Sequence, residues 1–327
     1  MGKRLFASTG AVLAGFALAA CAYGGGAEAK PGVPPAPATS DGTARPGLPA
    51  AGQPDALTPD QTVVGCTPLD GVDLAMDIYY PDGHTAASND PAVVYVHGGG
   101  WTSGSRSEGE GMRFIPSLVD EGFVVFAVDY RLAPDYQFPA QIQDVQCAVR
   151  GIRANASSYG IDTARVGAIG GSAGGQLVNL LGTAEDGDFA PVGGNRGFSS
   201  EVNVVVDMYG PTDFSDPTMA AHNAAHTEVF GDNTTADEPS DVLWQASAVN
   251  YVSSGDADFL ILHGEEDPVV PISQSERFAA ALRSAGSDVT FVRVEHAGHG
   301  FAPTGGTPSP GTAQLIGIVA RFFRDRL

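Results

Sequence analysis

Ala92-Val-Val-Tyr-Val96 and Phe123-Val-Val-Phe-Ala-Val128 are unbroken apolar runs of strand length. A strand with no polar face is one covered on both sides, as in a parallel sheet packed between helices. Arg165-Val-Gly-Ala-Ile169, Val202–Tyr209, Phe259–Leu262 and Val289–Val294 are strand-like too. Thr62–Thr67 and Val72–Tyr79 alternate apolar and polar positions around Asp70-Gly71, which predicts a hairpin with a two-residue turn. Between the runs the spacing turns helical. Ser107 to Glu121 has that pattern, and Ala140 to Asn155 carries a stripe of Ile142, Val145, Val149 and Ile152. Gln176–Leu181, Pro271–Ala285 and Thr312–Arg326 complete the set. Strands alternating with helices predict an α/β domain: a mostly parallel central sheet, helices on both faces, and the hairpin as an antiparallel edge.

The beginning of the chain follows a different pattern. Lys3-Arg4 precedes an apolar run from Leu5 to Ala20, the layout of an export signal. The run ends Leu18-Ala19-Ala20-Cys21, which resembles the lipobox of bacterial lipoproteins. That resemblance implies residues 1–20 as a signal peptide, lipid attachment at Cys21 and a membrane-anchored, exported protein. Ordinary cleavage nearby and free secretion is the alternative. Residues 21–59 are rich in Gly, Pro, Ala, Ser and Thr with almost no large apolar side chain, so they read as a disordered tether. The globular domain is expected over residues 60–327.

Composition narrows the partners. The chain has 327 residues, 43% of them hydrophobic, and a formal charge of −21. Such acidity argues against nucleic acid and anionic lipid as electrostatic partners. No Cys/His cluster has metal-ligand spacing. Cys66 and Cys147 remain beside Cys21, and in an exported protein they either pair or stay as separate buried thiols; the sequence leaves both open.

The chemistry centres on Gly170-Gly171-Ser172-Ala173-Gly174-Gly175, where an apolar strand runs into a glycine-flanked serine and then a helix. This is the G-x-S-x-G pattern in strand–turn–helix context, which lifts a serine hydroxyl clear of the sheet at a helix N-terminus. A serine needs a base, and the base needs an orienting acid. Asp267 follows the strand Phe259–Leu262, with Glu265 and Glu266 as rivals; Pro268 stiffens the loop just after Asp267. His299 follows the last strand between glycines, with His296 as its rival. His97 is read as a loop brace, and His84, His222, His226 and His263 as surface or structural residues. Gly98, Gly99 and Gly100, with the amide of Ala173, are the candidate donors for an oxyanion. Trp101 is the candidate substrate contact.

Taken together, His97-Gly-Gly-Gly-Trp101, Asp129-Tyr-Arg-Leu-Ala-Pro134, Phe138-Pro-Ala140 with Asp144, the Ser172 segment, Tyr209-Gly-Pro-Thr-Asp213 and His299-Gly-Phe301 resemble α/β-hydrolase esterases. The sequence is similar to the hormone-sensitive-lipase-like group. It is closer to the bacterial subfamily that includes feruloyl and acetyl-xylan esterases, because Gly171 stands where the former usually has an acidic residue. The resemblance covers about Thr62 to Leu327. It implies the α/β-hydrolase fold with the triad order Ser172, Asp267, His299 and a cofactor-free serine carboxylesterase acting through an acyl-enzyme. An open cleft whose acyl side is bounded by the glycine loop and Trp101 is expected to favour short acyl (acetyl to butyryl) esters, and an open alcohol side to admit acylated carbohydrates. A serine peptidase and an inactive binding protein are the alternatives on the same fold. The helical cap of the lipase-like group is not expected, since its place is taken by the tether; residues 185–200 and 211–250 are expected to form the rim of an open cleft.

Overall fold

In a computed structural model of the protein, residues 57–327 are described, apart from 69, 223–225 and 232–240. The signal peptide, Cys21 and most of the tether lie outside the described residues. The same holds for the side chains of His222 and His226.

Eight strands form one sheet in the order β1-β2-β4-β3-β5-β6-β7-β8. They are β1 (Gln61–Cys66), β2 (Leu74–Tyr79), β3 (Asp90–Val96), β4 (Val124–Val128), β5 (Ile161–Gly171), β6 (Val204–Met208), β7 (Asp258–Gly264) and β8 (Val289–Val294). β2 pairs antiparallel with β1 and with β4, and every other pairing is parallel. The helices are α1 (Ile115–Asp120), α2 (Ala140–Ala154), α3 (Ala156–Tyr159), α4 (Ala173–Thr183), α5 (Pro217–His222), α6 (His226–Phe230), α7 (Val242–Ala246), α8 (Ser273–Ala285) and α9 (Thr312–Arg324).

Strand alternation sorts the core into two layers. Val94, Val96, Phe126, Ala168, Val205 and Ile261 pack with the stripe of α2 and with Leu177 and Leu180 of α4 and Phe278 of α8. Val93, Tyr95, Val125, Ile169, Val206 and Leu260 pack with Ile115 and Leu118 of α1 and with Leu315, Val319 and Phe323 of α9. Each such side chain, fully buried, contributes about 1.5–3 kcal/mol before entropy is counted. The two-sided burial is why the strand runs carry no polar alternation.

Three local expectations need correction. The hairpin does not turn in two residues: β1 ends at Cys66 and β2 begins at Leu74, with Gly71 N–H donating to Pro68 O inside the longer connection. Its polar side chains have partners of their own, Thr67 donating to Asp73 and Arg131 to Asp70. The expected helix from Ser107 is broken as well. A 3-10 turn spans Glu110–Phe114 and α1 follows, because Gly109 sits at φ 96° and Pro116 tolerates only the first turn of a helix. Finally, residues 185–200 do not form a rim. They lie against α2, where Arg150 donates to Val192 O and Gly193 covers the Cys66–Cys147 disulfide. The two cysteines are paired, with Cα atoms 5.6 Å apart.

Candidate active site

Ser172 sits between β5 and α4 with φ 56° and ψ −120°. A non-glycine residue held there stores roughly 1–3 kcal/mol of strain, so the surroundings must fix the turn. They do so with backbone bonds: Ser172 N–H donates to Met208 O at 2.9 Å, and Gln176 N–H to Ser172 O at 3.0 Å. Glycine is sterically required two residues to either side. A Cβ on Gly170 would lie 2.4 Å from Gly174 O, and one on Gly174 would lie 2.2 Å from Val96 O.

His299 Nε2 is 2.9 Å from Ser172 Oγ, and His299 Nδ1 is 2.8 Å from Asp267 Oδ2. The carboxylate accepts at Nδ1, so Nδ1 carries the proton and Nε2 is left free to accept from the serine hydroxyl. The other oxygen, Asp267 Oδ1, accepts the amides of Val269 at 2.8 Å and Val270 at 2.9 Å. Burial by itself would raise the pKa of Asp267. Hydrogen bonds from His263 and His299, with the Val270 amide, outweigh it and hold the carboxyl far below the ordinary range. The group is therefore anionic at neutral pH. The rivals are elsewhere: His296 and Glu266 face each other at 3.8 Å, both more than half exposed.

His263 is fully buried at the end of β7. Its Nε2 is 2.9 Å from Val270 O and 3.4 Å from Asp267 Oδ2, so it carries the proton there, and Nδ1 accepts from Ser275 Oγ at 2.7 Å. The residue fits the structural half of its sequence reading, but its place is specific. It ties α8 to the loop that carries Asp267. The one signal it carries in the sequence, a position directly after an apolar run, it shares with His97.

The glycine loop after β3 is braced from behind. His97 is buried, its Nδ1–H donates to Gly98 O at 2.7 Å, and its ring stacks on Tyr130 at 4.1 Å. Burial pushes the His97 pKa down, which keeps the ring neutral. Tyr130 Oη–H in turn donates to His97 O at 3.0 Å. Gly99 has φ 119°, and its carbonyl accepts from Ser103 N–H at 3.1 Å and Ser103 Oγ–H at 3.0 Å. Among the described residues the amides of Gly99, Gly100 and Ala173 donate to no protein acceptor. These glycines and Ser172 and His299 line one cleft of about 610 Å³, together with Tyr95, Glu108, Glu110, Tyr209, Val269 and Val270.

Trp101 lines this cleft too, but only 2% of its surface is exposed. Its indole N–H donates to Gln176 Oε1 at 3.0 Å, and its ring packs against Phe214 and Phe230. The segment 211–250 therefore meets the site mainly by covering Trp101; of its described residues Pro211 alone lines the cleft. Tyr209, given no role from sequence, packs edge-on against the His299 ring at 4.8 Å. Its place at the carboxyl end of β6 is the signal that marks it.

Behind the elbow, Asp207 is fully buried; its Oδ1 accepts from Gly210 N–H at 2.9 Å and its Oδ2 has no hydrogen-bond partner. Burial pushes its pKa from 3.8 up to about 6, against the opposing pull of Asn179, the Gly210 amide and His263. With the folded pKa above the unfolded one, folding takes up a proton between the two values. Stability falls as pH rises through that window, by roughly 3 kcal/mol once it is crossed. Asp207→Asn keeps the Oδ1 acceptor and offers an amide to the unpartnered Asn179 Oδ1. Its melting temperature is expected to exceed the wild-type value at pH 8, with the gain shrinking towards pH 4. A gain independent of pH in thermal melts would show that Asp207 does not titrate in this window.

Residues 76–282 match the BD-FAE family. Esterase LipC of Mycobacterium tuberculosis is 33% identical over 235 residues, 70% of this chain and 57% of LipC. An ethyl acetate hydrolase of Pseudomonas putida is 27% identical over 278 residues, 82% of this chain and 83% of that protein. The chain spans about half the length of the mycobacterial relatives it matches. The thermophilic esterase 2 of Thermogutta terrifontis, in its propionate-bound structure, superimposes with a TM-score of 0.68 at 25% identity, over 81% of this chain and 93% of that one. With its mostly parallel sheet and the strand–turn–helix that carries Ser172, the fold is that of the α/β-hydrolases, and the chain belongs to the BD-FAE family.

Proposed function

We propose that the protein is a serine carboxylesterase that hydrolyses short-chain acyl esters through an acyl-enzyme. The observation that carries this reading is the continuous hydrogen-bonded path from Asp267 through His299 to Ser172, opening beside unused glycine amides. Ser172 Oγ attacks the ester carbonyl as His299 Nε2 takes its proton. The carbonyl oxygen becomes an oxyanion among the amides of Gly99, Gly100 and Ala173, and ionised Asp267 stabilises the imidazolium. His299 then returns the proton to the leaving alcohol. A water, activated by the same nitrogen, releases the acid and restores Ser172.

The short acyl preference follows from the walls. Many of the lining residues are glycines, and the large apolar side chains on the wall are few: Tyr95, Trp101, Tyr209, Pro211, Val269 and Val270. Each added methylene gains up to ~0.8 kcal/mol only while apolar wall remains to cover it. The substrate named for the Pseudomonas relative and the propionate in the Thermogutta structure point the same way. Acylated carbohydrates suit the alcohol side. Across 4-nitrophenyl esters from acetyl to palmitoyl, kcat/KM is expected to peak between acetyl and butyryl. Faster hydrolysis of the dodecanoyl than of the butyryl ester would overturn the short-chain assignment.

A further inference from the structure

The loop that carries Asp267 is held differently on its two sides. Before the acid, Glu265 N–H donates to Val294 O and Glu266 N–H to Ala297 O, both at 3.0 Å, which fastens it to the chain leading to His299. After the acid, Pro268 has no amide hydrogen, and the amides of Val269 and Val270 turn back onto Asp267 Oδ1. The tie from this second half to the sheet is His263. Its Nε2–H donates to Val270 O at 2.9 Å and lies 3.4 Å from Asp267 Oδ2. A carbonyl can only accept, so the ring hydrogen is fixed on Nε2, and Ser275 Oγ–H donates to Nδ1 at 2.7 Å. His263, Ser275 and the Asp267 side chain are all fully buried.

Asp267 Oδ2 therefore has a histidine on either side. His299 Nδ1, at 2.8 Å, belongs to the ring that moves protons; His263 belongs to a ring outside the cleft wall. We propose that His263 is a positioning residue for ester hydrolysis: oriented by Ser275, it fixes the Val270 carbonyl and with it the direction in which Asp267 Oδ2 meets His299. Without the imidazole, the buried Val270 O loses its donor and the loop must shift to find another. Oδ2 swings with it, because the amides that hold Oδ1 belong to the same segment. The His299 ring then keeps its acceptor but loses its alignment, and the return of the proton to the leaving oxygen suffers most. The inference rests on the esterase reading, and adds to it a residue outside the triad.

The test compares kcat/KM for 4-nitrophenyl acetate and ethyl acetate, which form the same acetyl-enzyme. Both need His299 to take the serine proton, but only the ethyl ester needs it returned; 4-nitrophenolate departs as the anion. Loss of folded or competent enzyme lowers both values alike and leaves their ratio unchanged. His263→Asn, too short to reach Val270 O, is expected to raise the ratio of aryl to ethyl ester by roughly tenfold or more, within the range of about 10²- to 10⁴-fold that general acid–base catalysis supplies. His263→Gln, whose amide nitrogen takes the place of Nε2, should return the ratio close to the wild-type value. Ser275→Ala, which frees the ring to turn, should raise the ratio as well, and decides the matter if His263→Asn does not fold. A ratio unchanged in His263→Asn and Ser275→Ala, or raised as far by glutamine as by asparagine, overturns the positioning role. Wild-type enzyme that cleaves neither ester refutes the esterase reading instead.

Discussion

Ser172→Ala is expected to lower kcat for 4-nitrophenyl acetate by roughly 10⁴- to 10⁶-fold, the usual cost of deleting the nucleophile from a unit that acts together. The fold should be indifferent to the change. Ser172 is only half-buried, the elbow is held by backbone bonds to Met208 and Gln176, and alanine inherits the same φ of 56°. The melting temperature should therefore stay within a degree or two. Any residual turnover is expected to come from the amides of Gly99, Gly100 and Ala173 acting with water, since the substitution leaves them in place. The other serine lining the cleft, Ser103, has its hydroxyl committed to Gly99 O and cannot take over. Turnover above a few per cent in a purified variant with a wild-type melting curve would move the nucleophile elsewhere. Loss of both activity and the melting transition would show instead that the elbow needs the serine side chain to form.

How far the site could be read from sequence depends on where each residue gets its information. Ser172, Asp267 and His299 are each placed by a strand end, and strand ends are visible because two-sided burial leaves long apolar runs such as Phe259–Leu262. The glycine loop was legible for a similar reason: only a residue without a side chain fits where a Cβ on Gly99 would stand 2.1 Å from Ser103 O. The choice of Asp267 over Glu265 and Glu266 rested on Pro268, and in the structure Asp267 is the one whose carboxylate has left solvent. What could not be read is decided by contacts distant in the chain. His263 looks like any histidine until Ser275 and Val270 close around it. Residues 185–200 look like a free loop until Arg150 and the disulfide claim them. The 3-10 turn at Glu110–Phe114 is hidden in the helical pattern because its buried Phe114 runs straight on into Ile115 and Leu118, the buried positions of α1.

The Cys66–Cys147 pair shows the same limit and gives the largest expected effect on stability. Sequence separation is the quantity that matters: the bridge closes a loop between residues 81 apart, and the loop-entropy relation assigns such a loop about 4.5 kcal/mol. The bridge joins β1, an edge strand with only β2 beside it, to α2, where backbones approach so closely that a Cβ on Gly151 would lie 2.8 Å from Gly65 O. An edge strand has few other restraints, so the covalent link is expected to deliver most of that value. The Cys66→Ala, Cys147→Ala double variant should unfold roughly 10 °C below the wild type, given the shift of about 2–4 °C per kcal/mol usual for a domain approaching this size. Excess reductant should bring the wild type to the same midpoint and leave the double variant unmoved. Activity at 25 °C should change little, since the disulfide's neighbours Leu74, Val192 and Gly193 do not line the cleft. A midpoint within 2 °C of the wild type in the double variant would mean that β1 is held as firmly by its hydrogen bonds to β2, and that the unfolded chain keeps the two cysteines near each other without a bond.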